Sequence, residues 1–99
     1  MKLTYSSHFK NDLIRIQNYI SQDSIENANK FIQKVFKCIE QVEKSPFIGT
    51  YLNNKIKADL KYRYRLLSSY IIIYQVKENE IIIETILHQK RDFRKLRFN

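Results

Sequence analysis

The side chains in this sequence that could do chemistry are cationic, and they are clustered. Residues 55 to 65 hold Lys55, Lys57, Lys61, Arg63 and Arg65 against Asp59, a net +4. Residues 88 to 97 hold Lys90, Arg91, Arg94, Lys95 and Arg97 against Asp92, again +4. The whole formal charge of +8 comes from these two stretches, because the remainder of the chain balances. A solvated surface mixes its signs, so this concentration points to an anionic partner, either nucleic acid or an acidic protein segment. The plainer alternative is a basic surface that serves solubility alone. Arginine forks bind phosphate oxygens, with or without accompanying catalysis. His88 is the one group outside the N-terminal helix whose ordinary titration lies near neutrality. Glu84, an even number of residues before it on one strand, is placed to orient or charge it. The plainer readings are a strand-end histidine bonded to backbone and a glutamate paired with a neighbouring arginine.

Other chemistries lack their residues. One cysteine and two distant histidines offer no metal-ligand spacing. A single glycine cannot build a phosphate-cradling loop. Cys38 falls on the apolar side of a helix, where a buried inert thiol is the ordinary outcome. His8 reads as a surface residue at a helix start. Tyr51, Tyr62, Tyr64, Tyr70 and Tyr74 could stack on bases, but sheet packing accounts for most of them. No cofactor or metal is expected.

The elements that must position these groups are legible from periodicity. Ninety-nine residues with 43% hydrophobic content make one domain, residues 1–99, with a packed core. No apolar run is long enough for a membrane span and no signal peptide is evident, so the expected setting is cytoplasmic, away from membranes. Residues 2 to 5 read as a short strand. Phe9, Leu13, Ile16 and Ile20 form one helical stripe from about Ser7 to Ile20. A second stripe runs Ile25, Ala28, Ile32, Val35, Ile39 and Val42, in a helix that starts at Asp23 or Ser24, with Asp23 and Glu26 spaced as a capping box, and is closed by Pro46. A turn is expected at Gly49.

Strands follow at 62–67, 70–76 and 81–87. Ser68-Ser69 and Lys77 to Glu80 are turns short enough to force antiparallel neighbours. Continuous isoleucine runs in two strands mean that both sheet faces are covered. The helical hairpin covers one of them. The other is expected to need residues 89 to 99, a second subunit or a partner chain.

This order of elements resembles the RelE/ParE superfamily, the toxins of bacterial type II toxin–antitoxin modules. Asp12-Leu13, Ile16, Tyr19-Ile20, Ala28, Phe31-Ile32, Ser45-Pro46 and Gly49 resemble the ParE-type pattern. Tyr70 to Val76 resembles the family's central strand, and Ile86 to Asp92 its "LHG-R-RD" ending. The resemblance implies an α+β fold (β-α-α-β-β-β), with an N-terminal helical hairpin on one face of a small antiparallel sheet. It also implies a growth inhibitor held inactive by an acidic cognate antitoxin.

Two activities occur in the superfamily. ParE-type members inhibit DNA gyrase, and RelE-type members cut mRNA on the ribosome without a metal. Arg63 and Arg65 fall where RelE-type lysines stand, and Arg91 where an active-site arginine stands. Ile71 and Arg97, however, occupy the positions of a RelE-type arginine and tyrosine. Metal-free RNA cleavage needs a 2′-hydroxyl deprotonated, phosphorane charge stabilised and a leaving oxygen protonated. Arg63, Arg65, Arg91 and His88 are the catalytic set only under that reading.

The expected function is therefore a ParE-like toxin with DNA gyrase as leading target. The alternative is a ribosome-dependent mRNA endonuclease, and a third reading is a non-toxic nucleic-acid-binding module. Lys55, Lys57, Lys61, Arg63, Arg65, Arg91 and Arg94 are the expected contacts to target or antitoxin. Register stays open: a strict two-residue turn at Ser68-Ser69 puts Arg63 and Arg65 with Ile72 and Tyr74, and His88 and Glu84 opposite. One bulge reverses that relation.

Overall fold

A computed structural model describes residues 1–52 and 62–90. The chain runs β1 (Lys2–Tyr5), α1 (Ser7–Ser21), α2 (Ile25–Lys44), β2 (Thr50–Tyr51), β3 (Tyr62–Leu67), β4 (Tyr70–Lys77) and β5 (Glu80–His88). Ser6 caps α1, its hydroxyl accepting from the Phe9 N–H, and Ser24 caps α2 through the Asn27 N–H. Of the two expected starts of the second helix, Ser24 takes the cap position, its short hydroxyl reaching the third amide, so the Asp23–Glu26 capping box is corrected. Helix α2 ends at Lys44, before Pro46.

Five strands form one sheet in the order β1-β5-β4-β3-β2. β1 pairs parallel with β5, Leu3 opposite Ile81 and Tyr5 opposite Ile83, and the other pairings are antiparallel. The sheet is therefore mixed, not purely antiparallel. The two helices between β1 and the meander form a crossover long enough to return the chain parallel. The two-residue strand β2 is an addition that sequence reading did not contain. It holds the edge beyond β3, Tyr51 opposite Arg63.

The helices cover one face. Phe9, Leu13, Ile16, Phe31, Val35, Cys38, Ile39 and Val42 pack against Tyr70, Ile72, Tyr74, Ile81, Ile83 and Ile86. Ile25, expected in the α2 stripe, is 71% exposed at the first turn, while Phe31 and Cys38 take buried places. Asp12 fastens α1 to the sheet by accepting from the Thr85 hydroxyl at 2.6 Å, and it also meets Arg15 at 3.1 Å.

The second face is apolar as well. Ile71, Ile73 and Leu87 are 2%, 0% and 6% exposed, packed with Leu52, Tyr62 and Tyr64. Leu52 reaches them because its N–H bonds to the Tyr62 carbonyl at 2.9 Å, extending the β2–β3 pairing past the strand end.

Candidate functional site

Arg63 and Arg65 lie two residues apart on β3, opposite Tyr74 and Ile72 of β4. Both therefore project toward the helix-covered face, as a strict two-residue turn at Ser68-Ser69 requires. Ser68 carries φ 55° at that turn and Glu78 φ 58° at the next, the left-handed conformation that tight hairpins demand.

The two arginines do different things. Arg63 aims Nη1 at two carbonyls of the α2–β2 connection, 3.1 Å from Phe47 O and 2.8 Å from Gly49 O. Its Cζ stands 3.9 Å from the Tyr51 ring centroid and 5.2 Å from that of Phe47. A guanidinium over an aromatic face adds about 0.5 to 1 kcal/mol at a partly exposed site. Arg65 instead reaches α2, its Nη2 3.3 Å from Gln41 Oε1. Its Nε is buried with no hydrogen-bond partner among the described residues.

The same connection is gripped from inside. Tyr74 is fully buried, and its hydroxyl donates to the Pro46 carbonyl at 2.8 Å and accepts from the Gly49 N–H at 2.9 Å. Burial pushes the Tyr74 phenol above its ordinary range, partly opposed by the Gly49 N–H and by Arg63 and Arg65. Gly49 is required by proximity, not by backbone conformation. A Cβ there would lie 2.6 Å from the Tyr74 oxygen and 3.0 Å from the Tyr64 carbonyl. Residues 46–49 are thus fixed between a buried phenol and a surface guanidinium. Phe47 and Ile48 nevertheless remain 62% and 44% exposed, beside Tyr51 at 44%.

The other candidates sit at the far end of the sheet. A bulge between Ile73 and Tyr74 sets Thr85 opposite Ile73 and Ile83 opposite Tyr74, leaving Glu84 as the extra residue. Past the bulge, His88 comes opposite Tyr70, against which its ring stands edge-on at 5.3 Å. Tyr70 belongs to the helix-side core, so His88 shares a face with Arg65. Glu84 does not: its carboxylate accepts from Gln75 Nε2 at 3.3 Å, on the side away from Tyr74. The expectation that Glu84 orients His88 is corrected, because the extra residue breaks the alternation between them.

His88 Nδ1 accepts from the Lys90 N–H at 3.2 Å. With Ser68, Ser69, Gln89 and Lys90 it lines an open depression of about 380 Å³. Two strand spacings and two residues of rise put the Cα atoms of His88 and Arg65 about 12 Å apart. Lys55, Lys57, Lys61, Arg91 and Arg94 lie outside the described residues. Cys38 is buried, as expected. No helix among the described residues is long and apolar enough to cross a membrane.

Sequence reading missed the partnership of Phe47, Tyr51 and Tyr74 with the two arginines. The available signal was a lone glycine three residues after the lone proline, with an aromatic residue between them.

Comparison with known proteins agrees with this architecture. A solved structure of the chromosomal ParDE TA system from P. aeruginosa superposes with a TM-score of 0.73 at 21% identity, covering 89% of this chain and 95% of that one. No curated protein sequence matches significantly. Residues 3–93 match the family described as ParE toxin of type II toxin-antitoxin system, parDE. The chain belongs to the ParE toxin family of type II toxin–antitoxin systems, proteins that act with an antitoxin partner.

Proposed function

We propose that this ParE-family chain is a growth inhibitor that acts on DNA gyrase and is neutralised by an acidic cognate antitoxin. One observation carries the choice of gyrase over mRNA. The Arg63 Nη1 group, which a nuclease would aim at phosphate, is turned onto the Phe47 and Gly49 carbonyls. Ile71, at the position of a RelE-type arginine, is 2% exposed within the second apolar cluster and has no charge to contribute. Stabilising a phosphorane needs donors already aimed at one point. The described residues supply instead a packed, partly aromatic surface.

An acidic antitoxin follows from the clustered charge of +8. Charge of one sign steers the encounter, so association slows as ionic strength rises. The bulge that turns His88 toward Arg65 favours the nuclease reading, in which those two with Arg63 and Arg91 would bind and cleave mRNA on the ribosome.

Purified protein added to a gyrase supercoiling reaction and to a translating extract with primer extension separates the readings. Lost supercoiling with intact mRNA is the expected result. Codon-phased cuts that appear only with ribosomes would reject gyrase as the target.

A further inference from the structure

We propose that β1 is the contact edge of a symmetric dimer, in which two copies of this chain pair antiparallel through Leu3 and Tyr5 about an axis at Thr4. The dimer concerns assembly alone and holds whatever the toxin acts on.

The strand has an open side. β1 ends the sheet order, and among the described residues no strand pairs with its outer side. Lys2 and Ser6 donate their N–H groups to the Asn79 and Ile83 carbonyls. Backbone groups alternate along a strand, so Thr4 turns inward with them, while Leu3 and Tyr5 present N–H and C=O groups outward. Natural edges are commonly blunted by proline, a bulge or a central charge. Lys2-Leu3-Thr4-Tyr5 runs in unbroken register with β5 and carries its one charge at the end. A groove lies beside this edge. Leu3, Tyr5, Ile32, Phe36 and Ile39 line an open space of about 580 Å³, and Phe36 is 41% exposed with its ring edge-on to Tyr5.

Charge and symmetry select the occupant. Lys37 stands in the groove with Glu40 and Glu43. An acidic antitoxin segment would meet like charge there, whereas a second copy brings a lysine of its own. A copy laid antiparallel with Leu3 opposite Tyr5 satisfies the outward groups of both strands at once. The axis also closes the assembly, because the edge strand β2 is only two residues long and offers little to a third copy. Two chains of charge +8 repel, so the dimer tightens as salt rises, the reverse of antitoxin association.

The test follows sedimentation of the full chain over a range of concentrations at low and high salt. Three variants accompany it, Thr4→Cys, Lys2→Cys and Leu3→Pro, each checked for folding by thermal melting. At the axis the two Thr4 Cα atoms lie roughly 4.5 Å apart, within disulfide reach. The two Lys2 residues fall on opposite sides of the axis, about 13 Å apart along the strands. Mild oxidation should therefore cross-link Thr4→Cys and leave Lys2→Cys single, Cys38 being buried in both. Leu3→Pro removes an outward N–H that the monomer does not use, and it should weaken the dimer by roughly tenfold or more. If Leu3→Pro fails to fold, the cysteine pair still reads the register. A parent that stays monomeric throughout, a folded Leu3→Pro that dimerises like the parent, or equal cross-linking of the two cysteine variants would overturn the proposal. So would a monomeric parent whose Leu3 and Tyr5 amides are protected from exchange by an acidic synthetic peptide, which would give the edge to an antitoxin-like segment.

Discussion

The connection after α2 and the far end of the sheet around His88 are both built by strand β3 and its neighbours, yet they are made very differently. At the first, Tyr74, Arg63 and Gly49 tie residues 46–49 through four hydrogen bonds and two ring contacts. At the second, His88 edges against Tyr70 and faces an open depression lined by the turn residues Ser68 and Ser69. Arg63 and Arg65 look interchangeable in sequence. Two residues along one strand separate a guanidinium that orders a surface loop from one that lies along a helix. Adjacency on a strand face decides direction, and the partner across the ladder decides the role.

The largest expected effect breaks the tight end. Gly49→Ala forces a Cβ to within 2.6 Å of the Tyr74 oxygen, and neither side can give way easily. A loss of about 2 to 4 kcal/mol is expected from overpacking and broken hydrogen bonds, read by urea unfolding. An unchanged midpoint would mean that the phenol is not there. Tyr74→Phe removes the hydroxyl alone and strands the Gly49 N–H and Pro46 carbonyl, costing about 1 to 3 kcal/mol.

The same variant sharpens a pH dependence. Because burial raises the Tyr74 pKa in the folded chain, the unfolded chain loses that proton first. The associated stability is therefore complete below about pH 10 and declines as pH rises further. Tyr5, also raised by burial and by Glu43, adds to the decline. Tyr74→Phe should make the alkaline decline shallower, measured as unfolding free energy against pH.

The loose end should respond weakly. Ser68→Gly relieves a positive φ at the cost of some unfolded-state entropy, so a gain of about 0.5 kcal/mol is expected in the same unfolding experiment. A loss at Ser68 comparable with that at Gly49 would erase the contrast between the two regions.

Much of this fold could be read from pattern alone. Both helices, the three meander strands and the two-residue Ser68-Ser69 turn follow from apolar spacing and β-branched runs. The parallel pairing of β1 was hidden because four residues carry no direction. Strand β2 was hidden because two residues have no period. The bulge at Glu84 was invisible for another reason: an extra residue in a strand leaves composition unchanged and shows only as a switch of face. That switch is what misassigned Glu84 to His88. The arginines were legible as a charged pair, but the rings that hold Arg63 sit in a stretch that reads only as a turn. A lone glycine was legible, whereas its true constraint, a phenol 25 positions away, was not.

The central claim is that residues 46–49 are held rigid from both sides, by Tyr74 within and Arg63 without. Amide hydrogen exchange at Gly49 tests it most directly, comparing the parent with Arg63→Ala and Arg65→Ala. The expected result is a protected Gly49 amide in the parent, faster exchange in Arg63→Ala and little change in Arg65→Ala. A Gly49 amide that already exchanges at the unprotected rate in the parent, or that ignores Arg63→Ala, would contradict it.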